Sequence, residues 1–148
     1  MSSKRDITFL YQAGIDGGGG YGEIRVIPTD GRKHDPEKAF DITYTGYTVG
    51  HWGGDTLVLD SISFTDQTWL ARGGFFHSDQ MRVVERFTRQ GNQILYEVTV
   101  EDPEVLVEPW VMAPRTVRLD PALDAGLLAE RGNCEVFETE DQTSQIRH

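Results

Sequence analysis

Met81-Arg82-Val83-Val84-Glu85-Arg86-Phe87-Thr88-Arg89-Gln90-Gly91-Asn92-Gln93-Ile94-Leu95-Tyr96-Glu97-Val98-Thr99-Val100-Glu101-Asp102 is the stretch that decides the fold. Side chains alternate faces along a strand, so a period of two is the signature of a half-covered sheet. Met81, Val83, Glu85 and Phe87 fall on one face, with Arg82, Val84, Arg86 and Thr88 opposite. After Gln90-Gly91-Asn92-Gln93, the alternation resumes with Ile94, Tyr96, Val98 and Val100 against Leu95, Glu97, Thr99 and Glu101. Gly and Asn at the centre are what a short reversal requires, and the whole reads as a β-hairpin. One residue breaks the pattern. Glu85 is the single acid on an otherwise apolar face, and a buried carboxylate costs several kcal/mol unless it is paired, hydrogen-bonded or protonated. It is therefore either an ion-pair member or part of a working site.

Working outward, Ile7 to Tyr11 is a short apolar run, followed by the glycine break Gly17 to Gly20. Glu23 to Ile27 reads as a strand closed by Pro28-Thr29-Asp30-Gly31. Phe40 to Thr48 alternates, with Phe40, Ile42 and Tyr44 on one face. Thr56 to Phe64 is apolar on both faces, as in a well-covered strand. Trp110 to Leu119 is strand-like but interrupted by Pro114, which implies an edge or a bulge. Pro121 to Arg131 suits a helix and Cys134 to Thr139 a last strand. About eight short strands with one or two helices predict an all-β, mainly antiparallel domain. A meander of this kind commonly closes into an up-and-down barrel, which removes its edges and can enclose one small ligand. A flat β-sandwich is the alternative. The domain spans 1–148, with tails at 1–5 and 140–148.

Composition narrows the function classes. Fourteen basic against 24 acidic residues give a formal charge of -10, which argues against sequence-independent nucleic-acid binding. No stretch approaches the ~18 apolar residues of a membrane helix, and no signal segment is read. The single cysteine, Cys134, fits a reducing cytoplasm and reads as a core residue rather than a nucleophile. Gly17 to Gly20 lack the ending and the strand-to-helix context of a phosphate loop. No G-x-S-x-G elbow is present. The histidines show no H-x-H or H-E-x-x-H spacing, so no metal is expected, although His51, His77 and carboxylates could assemble a zinc site. With neither a dinucleotide fingerprint nor a P-loop, no cofactor is expected.

An ordered set of short motifs runs through the central part of the chain. It comprises Thr29-Asp30-Gly31, Gly50-x-Trp52-x-Gly54-Asp55-Thr56-Leu57-Val58-x-Asp60, Trp69-Leu70, His77-Ser78, Val84-Glu85-Arg86, Asp102-Pro103 and Pro109-Trp110. Over residues 24–119 this set resembles a widespread bacterial family of uncharacterised proteins. The resemblance implies a lipocalin-like, calycin-type barrel. Similar small barrels include phenolic acid decarboxylases and some lignin-degradation enzymes, a link of fold rather than of site. The Gly-rich segment at 17–20 and the acidic C-terminal stretch depart from the family pattern.

Glu85 is the first catalytic candidate, since an acid in an apolar pocket suits proton transfer near neutral pH; the alternative is a core acid bonded to Arg or Tyr. Asp60 could share acid and base roles with it if both point inward, or simply bond loop backbone or Trp52. His77 lies in a connection with Gly73-Gly74 that could act as a lid, and is otherwise an exposed capping residue. Tyr44 and Tyr96 could present hydroxyls to a ligand, and Arg72 could clamp an acid through two bonds. His51 is placed at the barrel mouth. Trp52, Trp69, Phe87 and Trp110 could line a pocket for a flat hydrophobic ligand or serve as packing. Arg86 faces outward by parity.

These readings combine into a cofactor-independent lyase, most concretely a decarboxylase in aromatic-compound catabolism, acting on a small hydrophobic aromatic acid. Arg72 with Tyr44 or Tyr96 would orient the substrate, and Glu85 with Asp60 or His77 would move the proton. A non-catalytic carrier or sensor of hydrophobic small molecules needs the same pocket without the proton donor. An isomerase or hydratase using the same acid/base pair is a third reading. The expected partner is a hydrophobic aromatic small molecule, with neither nucleic acid nor membrane; a homodimer is compatible with the sequence.

Overall fold

A computed structural model describes residues 6–10, 24–71 and 73–118. Ten strands occur among them: β1 (Asp6–Leu10), β2 (Ile24–Pro28), β3 (Tyr47–Gly53), β4 (Thr56–Ile62), β5 (Trp69–Ala71), β6 (Phe75–Phe76), β7 (Arg82–Gln90), β8 (Gln93–Glu101), β9 (Trp110–Val111) and β10 (Arg115–Arg118). A three-residue 3₁₀ turn, Lys38–Phe40, is the only helical element in this set. The class is all-β and, in its named strands, antiparallel.

The β7–β8 hairpin forms the middle of the main sheet, in unbroken register from Arg82↔Glu101 to Gln90↔Gln93. Gly91 turns the chain with φ of 64°, a left-handed conformation that is cheap for glycine alone. Around this hairpin the strand order is β10-β8-β7-β4-β3, with β9 also paired to β8. Pro114 separates β9 from β10, as expected of a residue that cannot donate to a ladder. No pairing among the described residues joins β3 to β10, so these strands make an open sheet where the sequence predicts a closed barrel of about eight strands.

The β1–β2 hairpin lies against the inner face of this sheet and continues past the β3 edge, where Gly31 N–H donates to Gly50 O at 3.1 Å. Ile7 and Phe9 of β1 pack on a buried cluster of Ile27, Leu57 and Leu59. A second cluster, Met81, Val98 and Val100, is covered by Phe64, Leu70, Leu106 and Met112. Two small cores thus share one sheet face. Each supplies a cross-strand neighbour of Glu85: Leu59 on one side and Val98 on the other.

The predicted strand over Phe40 to Thr48 begins only at Tyr47. Upstream, local bonds take the donors a ladder would need: Ala39 N–H to Asp35 O, Asp41 N–H to Lys38 O, and Ile42 N–H to Phe40 O. Backbone groups must be satisfied somewhere, and here turns satisfy them. The apolar alternation of Phe40, Ile42 and Tyr44 consequently buries nothing, and all three are exposed. The connection from 65 to 80, expected as a loop, contains the β5–β6 hairpin. The Gly17 to Gly20 break, the helix over 121–131 and the strand over 134–139 lie outside the described residues.

Candidate functional site

Glu85 is 7% exposed, and its strand position explains why. The register places it between Leu59 and Val98, under the β1–β2 hairpin. Both carboxylate oxygens are engaged. Arg25 Nη2 donates to Oε2 at 2.9 Å, and the Tyr96 hydroxyl donates to Oε1 at 2.8 Å. The same Arg25 nitrogen lies 3.2 Å from Thr48 Oγ1 and 3.4 Å from Ser61 Oγ, and those two hydroxyls are 2.8 Å apart. Charge-assisted bonds of this length are what offset the desolvation of a half-buried guanidinium and a buried carboxylate.

Aromatic rings close one side of this network. Tyr96 stacks on Phe87 with centroids 4.7 Å apart, and Phe87 meets Phe9 at 5.3 Å. The Arg25 guanidinium sits 6.0 Å from the Phe9 ring centroid, at the limit of a cation–π contact. Chemically, the arrangement is a hydroxyl donor and a carboxylate acceptor beside a wall of three rings.

Asp60 does not join it. Its ladder partner on β7 is Val84, one residue from Glu85, and a one-residue offset reverses the face. The shared inward pocket expected for the two acids is therefore replaced by a surface pair. Arg82 Nη2 and Nε grip Asp60 at 2.7 and 2.8 Å, while Arg82 Nη1 reaches Glu101 at 3.1 Å. The Arg82 bonds hold the Asp60 carboxyl below its ordinary value.

His77 is not an exposed cap; it is 4% exposed. Nδ1 lies 3.0 Å from Ser78 O and Nε2 lies 2.7 Å from Thr68 Oγ1. A carbonyl only accepts, so Nδ1 donates to Ser78 O, and Nε2 shares the second bond with the Thr68 hydroxyl. The Thr68 bond closes the base of the β5–β6 hairpin. Beside it, Asp102 is 3% exposed and accepts from Ser78 N–H at 2.7 Å, Ser78 Oγ at 2.8 Å, and the Glu104 and Val105 N–H groups at 3.1 and 3.2 Å. Burial pushes this carboxyl up, but the bonds from Ser78, Glu104 and Val105 outweigh it and hold it below its ordinary value.

The binding residues expected from sequence are dispersed. Tyr96 and Phe87 border Glu85. Tyr44 is 69% exposed, outside any strand. His51 faces outward on β3, and Trp52 belongs to the inner face but is exposed at the strand end. Arg72 lies outside the described residues. Trp69 is exposed on β5, near the end of the sheet that carries Trp110. There, Leu70, Phe75, Leu106, Val107, Pro109 and Trp110 line an apolar groove of about 810 Å³.

Arg25 and Asp102 are structurally central polar groups that the sequence reading did not make site candidates, Asp102 entering it only through the Asp102-Pro103 motif. For Arg25 a signal existed: on β2 it shares a face with buried Ile27, while Ile24 and Val26 point outward. For Asp102 the signal is its place before Pro103 at a strand end, where an Asp caps following N–H groups. Among the described residues no group of three His, Cys, Asp or Glu is placed to hold a metal ion, and no helix is long and apolar enough to cross a membrane. Comparison with protein-family models, curated proteins and solved structures gives no match.

Proposed function

We propose that the protein is a non-catalytic carrier or sensor of a small, flat hydrophobic molecule, acting in the cytoplasm and belonging to the bacterial family that its motifs resemble. The observation that carries this reading is the apolar groove between the β5–β6 hairpin and residues 106–111. Its volume of about 810 Å³ falls in the range of small-molecule sites, and Phe75 and Trp110 supply aromatic faces. The proton-transfer trio expected from sequence does not converge, since Glu85, Asp60 and His77 each have a separate set of partners. Titration with the neutral fluorophore N-phenylnaphthylamine tests the proposal. Saturable binding that Trp110→Ala weakens by about tenfold, roughly 1.4 kcal/mol, supports it. Binding that is absent, or equal in the variant, overturns it.

A second reading, the cofactor-independent lyase acting on an aromatic acid, draws on one observation: the Tyr96 hydroxyl bonded to the buried Glu85 beside Phe87. In that reading the substrate's C–CO₂ bond breaks, its carbon takes the Tyr96 hydroxyl proton as CO₂ leaves, and solvent returns a proton to Tyr96 by way of Glu85. The test is Glu85→Gln, which loses turnover by about 10²–10⁴ if Glu85 is the general acid–base group.

A further inference from the structure

The outer face of the sheet carries a second concavity, unrelated to the apolar groove above. Its floor is set by ladder register. Val49, Asp60, Val84 and Thr99 form one row across β3, β4, β7 and β8, and His51, Val58, Arg86 and Glu97 form the next. Val58 and Val84, diagonal neighbours on β4 and β7, are the accessible apolar part of this floor, while Asp60 separates Val84 from Val49, which is 6% exposed. The segment carrying Arg32, Lys33 and His34 forms a wall over it, where His34 Nε2 meets Asp60 O at 3.0 Å. The open concavity has a volume of about 780 Å³.

The charge of this concavity runs against that of the chain. On a protein of formal charge -10, its lining holds four cations, Arg32, Lys33, Arg82 and Arg86, against two carboxylates, Asp60 and Glu101. Arg32 is neutralised by Asp30 at 2.6 Å, and Arg82 by Asp60 and Glu101. Lys33 and Arg86 form no ion pair among the described residues, although Arg86 stands opposite Glu97 in the ladder. Two uncommitted cations at the rim of a valine floor favour a ligand with an anionic head and an apolar body.

We infer that this outer groove is a binding site for a small organic carboxylate, with Arg86 and Lys33 taking the carboxylate and Val58 and Val84 packing its hydrocarbon body. Arg86 suits that role because a guanidinium matches a carboxylate through two parallel bonds, whereas a lysine contributes a point charge. The site is independent of the proposed carrier groove, since the two share no lining residue.

The experiment is an amide chemical-shift titration of the ¹⁵N-labelled protein at constant ionic strength, with benzoate, its neutral isostere benzamide, and inorganic phosphate. Benzoate is expected to shift the amides of His51, Val58, Val84 and Arg86 saturably, with a Kd on the order of 1 mM. Amides of residues 106–111 should stay in place, which separates this site from the carrier groove. Benzamide, which lacks the charge, and phosphate, which lacks the apolar body, should each bind at least about tenfold more weakly. Arg86→Met and Lys33→Met change exposed side chains, so both variants should fold, and each should weaken benzoate severalfold. No saturable benzoate shift overturns the inference, as does equal binding of phosphate or benzamide. Undiminished benzoate binding in an Arg86→Met/Lys33→Met double variant overturns it too.

Discussion

Arg25 and Glu85 stand 60 residues apart in the chain, yet their side chains meet at 2.9 Å between two separate sheets. The pair ties the β1–β2 hairpin to the middle of the main sheet at the seam between its two apolar clusters. Neither partner is free to leave. Without Arg25, Glu85 would keep a carboxylate among Leu59, Val98 and the rings with only Tyr96 to solvate it.

Removing one partner should therefore cost more than removing both. We expect Arg25→Met to destabilise the protein by about 3 kcal/mol, the lower part of the range for breaking a buried pair, because the guanidinium keeps some solvent contact. Arg25→Met combined with Glu85→Leu should recover a large part of that loss, as apolar replacements of buried pairs often do. Urea unfolding midpoints of the two variants measure the difference. A double variant less stable than the single one would show that the pair contributes net stability beyond its own desolvation.

Asp60 offers the contrast. Its bonds to Arg82 are as short as those of Glu85, but they lie on the solvated face with both side chains a quarter or more exposed. Exposed pairs contribute little, so Asp60→Asn should change stability by less than about 1 kcal/mol. Thermal unfolding of Asp60→Asn alongside Arg25→Met checks the ranking, which follows from burial rather than bond length.

Asp102 makes acid sensitivity local. Its folded pKa is depressed, so the folded state binds fewer protons there than the unfolded chain. That stabilisation is present above the ordinary carboxylate value of about 3.9 and is lost as pH falls through the depressed folded value. Asp102→Asn should flatten this part of the stability–pH curve. At neutral pH it should cost about 2 kcal/mol, because an amide nitrogen would face the Ser78 N–H that now donates to Oδ2. Urea titrations between pH 3 and 7 read both effects.

Gly50 is fixed by crowding. A Cβ there would stand 2.8 Å from Leu59 Cδ2, and Leu59 is fully buried with no room to yield. Gly50→Ala is expected to destabilise by about 1–3 kcal/mol, the usual cost of overpacking. Gly53→Ala, on the same strand, meets nothing within 4 Å and is the control, with little or no loss. Equal midpoints for the two variants would contradict the packing argument.

Much of the sheet was legible because it rests on short-range pattern. The period-two alternation from Met81 to Asp102, the Gly91-Asn92 reversal and a strand starting at Thr56 all appear where the sequence predicts them. But β4 is buried on one face only, at Leu57, Leu59 and Ser61, rather than covered on both. Phe40 to Tyr44 shows the limit of the same signal. Alternation without a face to cover it does not make a strand, and Pro36 and the turns at 35–41 took its backbone donors.

The candidate site was legible only in outline. That Glu85 is buried and bonded to an arginine and a tyrosine is an alternative the sequence itself offers, because burial of a charge demands such partners. Which arginine is a different matter. The amino-acid sequence by itself determined the β7–β8 hairpin, the strand from Thr56 and the one acid on the hairpin's apolar face, since these follow from the chemistry of neighbouring residues. Only the tertiary structure decided that Arg25 completes Glu85, that Asp60 turns to solvent and that His77 is locked inside. Pairing register and the docking of one hairpin on another sheet are long-range choices, and a shift of one residue in register reverses the face of every side chain on the strand.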